Sequence, residues 1–256
     1  MRAVGARMLF IDELHNILAG KSDVRREFLN LIRFLGNELR ISIVGVGTRE
    51  AYLAVSALLC LTPYTPMLFM GQEWSASTPF IFFTDHNPDL GKLVTAGRHD
   101  EFKGFTGFRT EAARDKIPDP QSSKSFTDSK LVWDELGDEK KSQTLELYRA
   151  CLKLRAKEEV FRPVSRQTWY VTALEMGAGA LRYKGESADW LLLFDMEGGH
   201  DGSPGEDWIC KPRAEAAWTV VLSTNEKRFG GSGSCAYDPA TGNARFVQPE
   251  LVLMRS

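Results

Sequence analysis

The chain runs Leu61-Thr-Pro-Tyr-Thr-Pro-Met-Leu-Phe-Met-Gly-Gln-Glu-Trp74, then Ser77-Thr-Pro-Phe-Ile-Phe-Phe-Thr-Asp-His86. Met67 to Met70 reads as a buried apolar strand with a glycine at its carboxyl end. Such a strand constrains the fold severely. It needs neighbours on both edges, because an open strand leaves its amides unpaired. Glu73 and Trp74 follow the glycine, and Phe80, Phe82 and Phe83 lie in the loop beyond. An acid beside aromatic faces suits a sugar: the C–H face of a pyranose packs on the ring and the carboxylate holds hydroxyls. Glu73, Trp74, Phe83, Asp85 and His86 are therefore the candidate substrate contacts. The structural alternative has Glu73 accepting bonds from loop amides while Trp74 and the phenylalanines pack an edge.

A chain of 256 residues, 43% hydrophobic and 26% charged, is long enough for one large or two ordinary globular domains. Its net charge of −2 gives no general attraction to nucleic acid or to an anionic membrane, and neither is expected as a partner. Cys60, Cys151, Cys210 and Cys235 show no C-x-x-C spacing and read as isolated thiols in a reducing compartment. The apolar run Met8 to Ile11 stops at Asp12-Glu13, too short for a signal-peptide core or a membrane span. The cytoplasm is the expected location, with no metal and no cofactor.

Met8 to Asp12 and Ile41 to Val46 read as buried strands flanking a helix from Asp23 to about Arg40, an α/β order. Arg49 to Leu61 reads as a helix ended by Pro63. Residues 71 to 98 read as a long loop, Arg98 to Phe105 as a short helix, and 106 to 130 as largely irregular. A helix is predicted over Lys141 to Lys157. After Pro163 the pattern changes to period two. Strands are predicted at Thr168–Ala173, Ala180–Tyr183, Trp190–Phe194, Trp218–Leu222 and Phe246–Met254, with exposed turns at 197–206 and 230–234. This pattern is that of a small antiparallel sandwich able to bury its own core. Trp169, Trp190 and Trp218 alternate with apolar residues in these strands and are expected in that core.

Met8-Leu-Phe-Ile-Asp-Glu-Leu-His15 has the form of a Walker B segment. Asp12 stands where magnesium-associated water is bound, and Glu13 where the attacking water is polarised. With Phe34-Leu-Gly-Asn-Glu-Leu-Arg40 and Val44-Gly-Val-Gly-Thr-Arg49, residues 8 to 54 resemble the TniB class of transposon AAA-type ATPase subunits. A phosphate-wrapping loop G-x-x-x-x-G-K-[ST] is also required. Gly20-Lys21-Ser22 completes only its second half, and lies after the Walker B strand. Asp12 and Glu13 are thus candidates for a nucleotide-binding remnant, and hydrolysis is not expected.

From about Ser56 onward the chain resembles the malto-oligosyltrehalose trehalohydrolases of the α-amylase superfamily. The markers are the strand and loop quoted above, Ile117-Pro-Asp-Pro-Gln121, Phe126-Thr-Asp-Ser-Lys-Leu-Val-Trp133 and Leu147-Tyr-Arg-Ala-Cys-Leu-Lys-Leu-Arg155. Gln72 departs from the Gly-Glu-Glu-Trp form common in the family. The resemblance implies the end of a (β/α)8 barrel followed by a β-sandwich, with Gly71, Glu73 and Trp74 at the rim of a site. The expected fold is therefore α/β plus all-β. An α/β ATPase fragment (1–54) precedes an incomplete (β/α)8 barrel end (55–162) and a C-terminal antiparallel β-sandwich (163–256).

The resemblance also implies hydrolysis of the α-1,4 bond next to the terminal trehalose of malto-oligosyltrehalose. A retaining enzyme of this kind needs a carboxylate nucleophile and an acid about 5 Å apart. In the family these sit on earlier strands, and no G-F-R-x-D-A segment stands in this sequence. Gly107-Phe-Arg-Thr-Glu111 mimics its first three residues with the acid misplaced. No catalytic residue is assigned, and the chain is expected to be inactive alone. The implied partners are a malto-oligosaccharide or malto-oligosyltrehalose, and a second chain complementing the barrel. The alternatives are a carbohydrate- or partner-binding remnant and a transposition accessory fragment.

Overall fold

Helix α1 (Arg49–Leu61) is set by its ends as much as by its apolar residues. Thr48 caps it, its hydroxyl accepting from the Ala51 amide. At the carboxyl end, Arg155 donates to the carbonyls of Cys60, Thr62 and Tyr64, and the Tyr183 hydroxyl donates to Leu61 at 2.6 Å. These bonds take up carbonyls that a helix end leaves without intrahelical partners. The amino-terminal Arg49 reaches the Phe229 carbonyl at 2.9 Å. The computed structural model describes residues 48–102, 110–111, 115–162, 168–174, 178–204, 208–213 and 216–256. The ATPase-like strands and helix, with Asp12 and Glu13, lie outside the described residues.

Two compact units divide the chain. Residues 46–75 and 134–256 form the larger. Among the described residues it holds α1, helix α4 (Glu139–Lys157) and eight strands: β1 (Trp169–Ala173), β2 (Ala178–Lys184), β3 (Asp189–Asp195), β4 (Asp201–Gly202), β5 (Thr219–Ser223), β6 (Tyr237–Asp238), β7 (Asn243–Arg245) and β8 (Glu250–Arg255). An antiparallel five-stranded sheet has the order β1-β2-β3-β8-β5, and a three-stranded sheet the order β4-β7-β6. The other unit includes residues 76–133, with α2 (Pro88–Phe102) and α3 (Ser123–Thr127).

The register explains the burial. Leu181 pairs with Leu192 and Leu192 with Leu253, so these side chains share one face with Tyr183 and Leu251. That face packs on Leu53, Ala54, Ala57 and Leu61 of α1 and on Leu147, Tyr148 and Cys151 of α4. Ala180, Leu191, Leu193, Val252 and Met254 point the other way, into a second core with Trp218, Tyr237, Ala244 and Phe246. Both faces of the sheet are covered. Gly179 stands opposite Phe194, whose ring lies where a Cβ would be, 2.6 Å away. Trp190 and Trp218 are core residues as expected, and Trp169 is half-buried. All four cysteines are free.

The structure departs from the sequence expectations in four places. Met67–Met70 is not a strand. Met67 is 88% exposed and Phe69 53%, because no strand among the described residues lies beside the segment to take its amides. The loop expected over 71–98 contains most of α2, which starts at Pro88 after Asn87, whose side chain accepts from the Leu90 amide at 3.0 Å. The irregular stretch 106–130 contains α3, capped by Ser122. Period two is lost in the central strands, where Trp190-Leu-Leu-Leu-Phe194 and Leu251-Val-Leu-Met254 are apolar runs, because both sides of the sheet are covered.

Asp189, 2% exposed, ties the sheet to the loop at 208–213. Arg182 donates to its Oδ2 at 2.5 Å and Arg213 to its Oδ1 at 2.7 Å. Arg182 also donates to the carbonyls of Trp208 and Lys211. Burial alone would raise the Asp189 pKa, but the bonds from Arg213 and Arg182 win and hold it below the usual carboxylate range.

Leu253→Ala should lower stability by about 2–5 kcal/mol through a cavity in the buried face, read as a fall in Tm. Asp189→Asn should cost about 3–5 kcal/mol, because the nearly buried Arg182 loses its counter-charge. The folded-state pKa of Asp189 is depressed. Its contribution is therefore present above the unfolded carboxylate pKa of about 3.9 and lost as pH falls through the folded value. Urea titrations from pH 7 to pH 2 should show the gap between wild type and Asp189→Asn closing on the acid side. A constant gap would contradict the assignment.

Candidate functional site

The turn after Met70 is the best-defined part of the expected sugar site. Gly71 has φ 83°, a left-handed conformation that a side chain disfavours, and it starts a 3-10 turn over Gln72–Trp74. Gln72 is the hub. Its Nε2 donates to the Tyr148 hydroxyl at 3.1 Å, and its carbonyl accepts from the Tyr52 hydroxyl at 2.5 Å. The Phe69 amide donates to its Oε1 at 3.2 Å. Tyr148 in turn donates to Ser56 at 2.9 Å. The turn is thus fixed to α1 and α4 together. Burial raises the pKa of Tyr52 and of Tyr148, so both are neutral hydroxyls at any ordinary pH. Gln72, the departure from the family form, makes the side-chain bond to Tyr148. No feature of the sequence alone pointed to this role.

Glu73 and Trp74 part company here. Trp74 is 2% exposed. Glu73 is half-buried and lines an open groove of about 260 Å³. Leu68, Phe69 and Met70 form the groove with Leu145, Tyr148, Arg149 and Leu152 of α4. An apolar floor with one carboxylate and one guanidinium at its margins offers van der Waals surface and directional hydrogen bonds.

Phe83, Asp85 and His86 belong to the other unit. Phe83 packs edge-on against Phe126, with ring centroids 5.1 Å apart, and Phe80 lies 5.7 Å from Phe83. The backbone around Ile81 is held by Ser129, whose hydroxyl accepts from the Ile81 amide at 2.9 Å. Ile117-Pro-Asp-Pro-Gln121 acts as a staple. The Pro120 carbonyl accepts from the Thr84 amide at 2.8 Å, and Gln121 bonds the Thr84 hydroxyl and accepts from the His86 amide. Asp119 accepts from the Thr95 hydroxyl on α2 at 2.8 Å. Asp85 and His86 are exposed at the end of this stapled loop. Among the described residues, no group of three or more His, Cys, Asp or Glu side chains is arranged to hold a metal ion. No helix there is long and apolar enough to cross a membrane.

Comparison with known proteins gives two distinct signals. Residues 1–57 match the family model of the bacterial TniB protein. The chain is 46% identical over 120 residues to the malto-oligosyltrehalose trehalohydrolase of Deinococcus radiodurans, covering 47% of this chain and 19% of that protein. It is 38% identical over 190 residues to that of Brevibacterium helvolum, covering 73% of this chain and 29% of that protein. The chain thus spans less than a third of the length of these curated relatives. Among solved structures, the trehalose-6-phosphate hydrolase of Bacillus licheniformis matches with TM-score 0.54 at 11% identity, over 97% of this chain and 51% of that one. A Salmonella typhimurium protein assigned to the alpha amylases matches with TM-score 0.58 at 24% identity, over 81% of this chain and 30% of that one. At these identities the structural likeness is one of fold. The chain is related to the malto-oligosyltrehalose trehalohydrolases over part of its length, consistent with their C-terminal part, and to the TniB proteins over residues 1–57.

Proposed function

We propose that the chain is a glycosidase remnant that contacts a malto-oligosaccharide or malto-oligosyltrehalose without cleaving it on its own. The observation that carries this is a 190-residue relationship to trehalohydrolases in a sequence with no G-F-R-x-D-A segment. Retaining hydrolysis needs two carboxyl groups at about 5 Å in the roles of nucleophile and acid. No residue of this chain is assigned either role.

In this reading the groove beside α4 is part of a former rim. Glu73 and Arg149 take sugar hydroxyls while Phe69 and Leu152 meet the C–H face. Trp74 supports Glu73 from within. Phe83, Asp85 and His86 are proposed sugar contacts of the other unit by itself, on the loop held by the Ile117–Gln121 staple. A second chain carrying the rest of a barrel would give Met67–Met70 the strand neighbours it lacks. The division into 1–54, 55–162 and 163–256 is one of ancestry. The chemistry calls for no metal or cofactor, and the cytoplasm is the proposed location.

The TniB match favours a second reading, docking on a transposition ATPase ring through residues 8 to 54. Co-purification with a full-length ATPase subunit supports it, and failure to co-purify removes it.

Incubating the purified chain with malto-oligosyltrehalose should release no trehalose above background, even at high protein concentration. Release that disappears in Glu73→Gln or Glu111→Gln would overturn the proposal, since a retained acid would then be catalytic.

A further inference from the structure

A second cleft, of about 510 Å³, lies between the small sheet and the loop that follows β5, far in sequence from the groove at Glu73. Its volume falls within the range of about 300–1,000 Å³ usual for small-molecule sites. One wall is unusually fixed. Asn225, nearly buried, donates from Nδ2 to Ser232 and Ser234 at 3.0 Å, and its Oδ1 accepts from the Ser232 amide and from Gln248 Nε2. Gly231 passes so close to the Asn225 backbone that a Cβ there would collide with its carbonyl. The wall is therefore organised before any ligand arrives.

Glu250 lies in the same wall and is 3% exposed. Both bonds it accepts end on one oxygen: Ser223 Oγ donates to Oε1 at 2.6 Å and the Ala236 amide at 3.0 Å. Oε2 has no hydrogen-bond partner among the described residues. Oε2 is not sealed from solvent, so a ligand donor can reach an acceptor that the bonds to Oε1 already hold in place. Burial pushes the Glu250 pKa up, partly offset by the bonds from Ser223 and Ala236.

The lining selects the ligand class. Asp201, Asp238 and Glu250 oppose anions, and Arg245, the cationic side chain of the lining, is paired with Asp201 at 3.4 Å. Asn243, Thr241 and Gln248 add amide and hydroxyl groups. We propose that this cleft is a second saccharide site, binding the vicinal hydroxyls of a short neutral oligosaccharide, with Oε2 of Glu250 accepting one hydroxyl proton and Gln248 and Asn243 bonding the next. The choice of ligand rests on the sugar-linked ancestry proposed above; the cleft and its unbonded oxygen do not.

The test titrates the full chain with maltotriose by two-dimensional NMR or calorimetry, with inorganic phosphate as the anionic control. Glu250→Gln keeps an acceptor for Ser223 and Ala236 and replaces Oε2 with a donor. Asn243→Ala removes a contact at the margin outside the Asn225 network and guards against misfolding of the first variant, with Tm measured for both. The expected result is maltotriose binding at this cleft, read from the amide shifts of Ser232 to Ala236, weakened about tenfold or more in both variants, as loss of one or two ligand hydrogen bonds implies. Weakening confined to Glu73→Gln would overturn this cleft and leave the rim reading standing. Phosphate binding in place of maltotriose, or no maltotriose binding at tens of millimolar, would overturn it too. The absence of hydrolysis is tested separately by trehalose release.

Discussion

A sheet with two apolar faces has to be covered twice, and that requirement organises the larger unit. One face, carrying Leu181, Tyr183, Leu192, Leu251 and Leu253, is covered by α1 and α4. The other is covered by the residues around the small sheet, including Trp218, Tyr237 and Phe246. Each buried leucine contributes on the order of 2 kcal/mol relative to exposure, so an uncovered face would cost more than a marginally stable domain can lose. The helix α1 is consequently part of the same core as the strands. Its bonds to Arg155, Tyr183 and Phe229 hold it there in one orientation.

That packing changes how the segment 62–75 is understood. Its sequence has the composition of a central strand, but a strand's stability comes from its neighbours. With none beside it among the described residues, Met67 to Met70 forms no strand and is largely exposed. The turn that follows keeps its shape for a different reason. Gln72 bonds Tyr52 and Tyr148, so the position of Glu73 depends on α1 and α4. Glu73 keeps its position because its support comes from helices.

The sequence was most legible where a local signal coincided with a tertiary one. Pro63 marks the end of α1 in the sequence, and the helix has the expected limits, Arg49–Leu61. Glycine-rich turns located the main strands. The small strands β4, β6 and β7 escaped notice because two or three residues carry no periodicity, and α2 because Gly91 and Gly97 interrupt a weakly amphipathic stretch. At the turn after Met70, the sequence singles out Glu73 by its neighbours, and the structure places it half-buried in a groove. The clamp on Gln72 and the wall around Asn225 were not legible, because residues 76 and 23 positions apart in sequence form them. Trp74 is buried, the arrangement given above as the structural alternative to a contact.

Native-state hydrogen exchange tests the shared core most directly. The amides of Leu53 to Cys60 in α1 should exchange with the same opening free energy as those of Leu191 to Leu193 in β3 and Leu251 to Leu253 in β8, through one cooperative unfolding. Fast exchange across α1 with the strands still fully protected would show that the sheet stands without its helical cover, and would contradict the account.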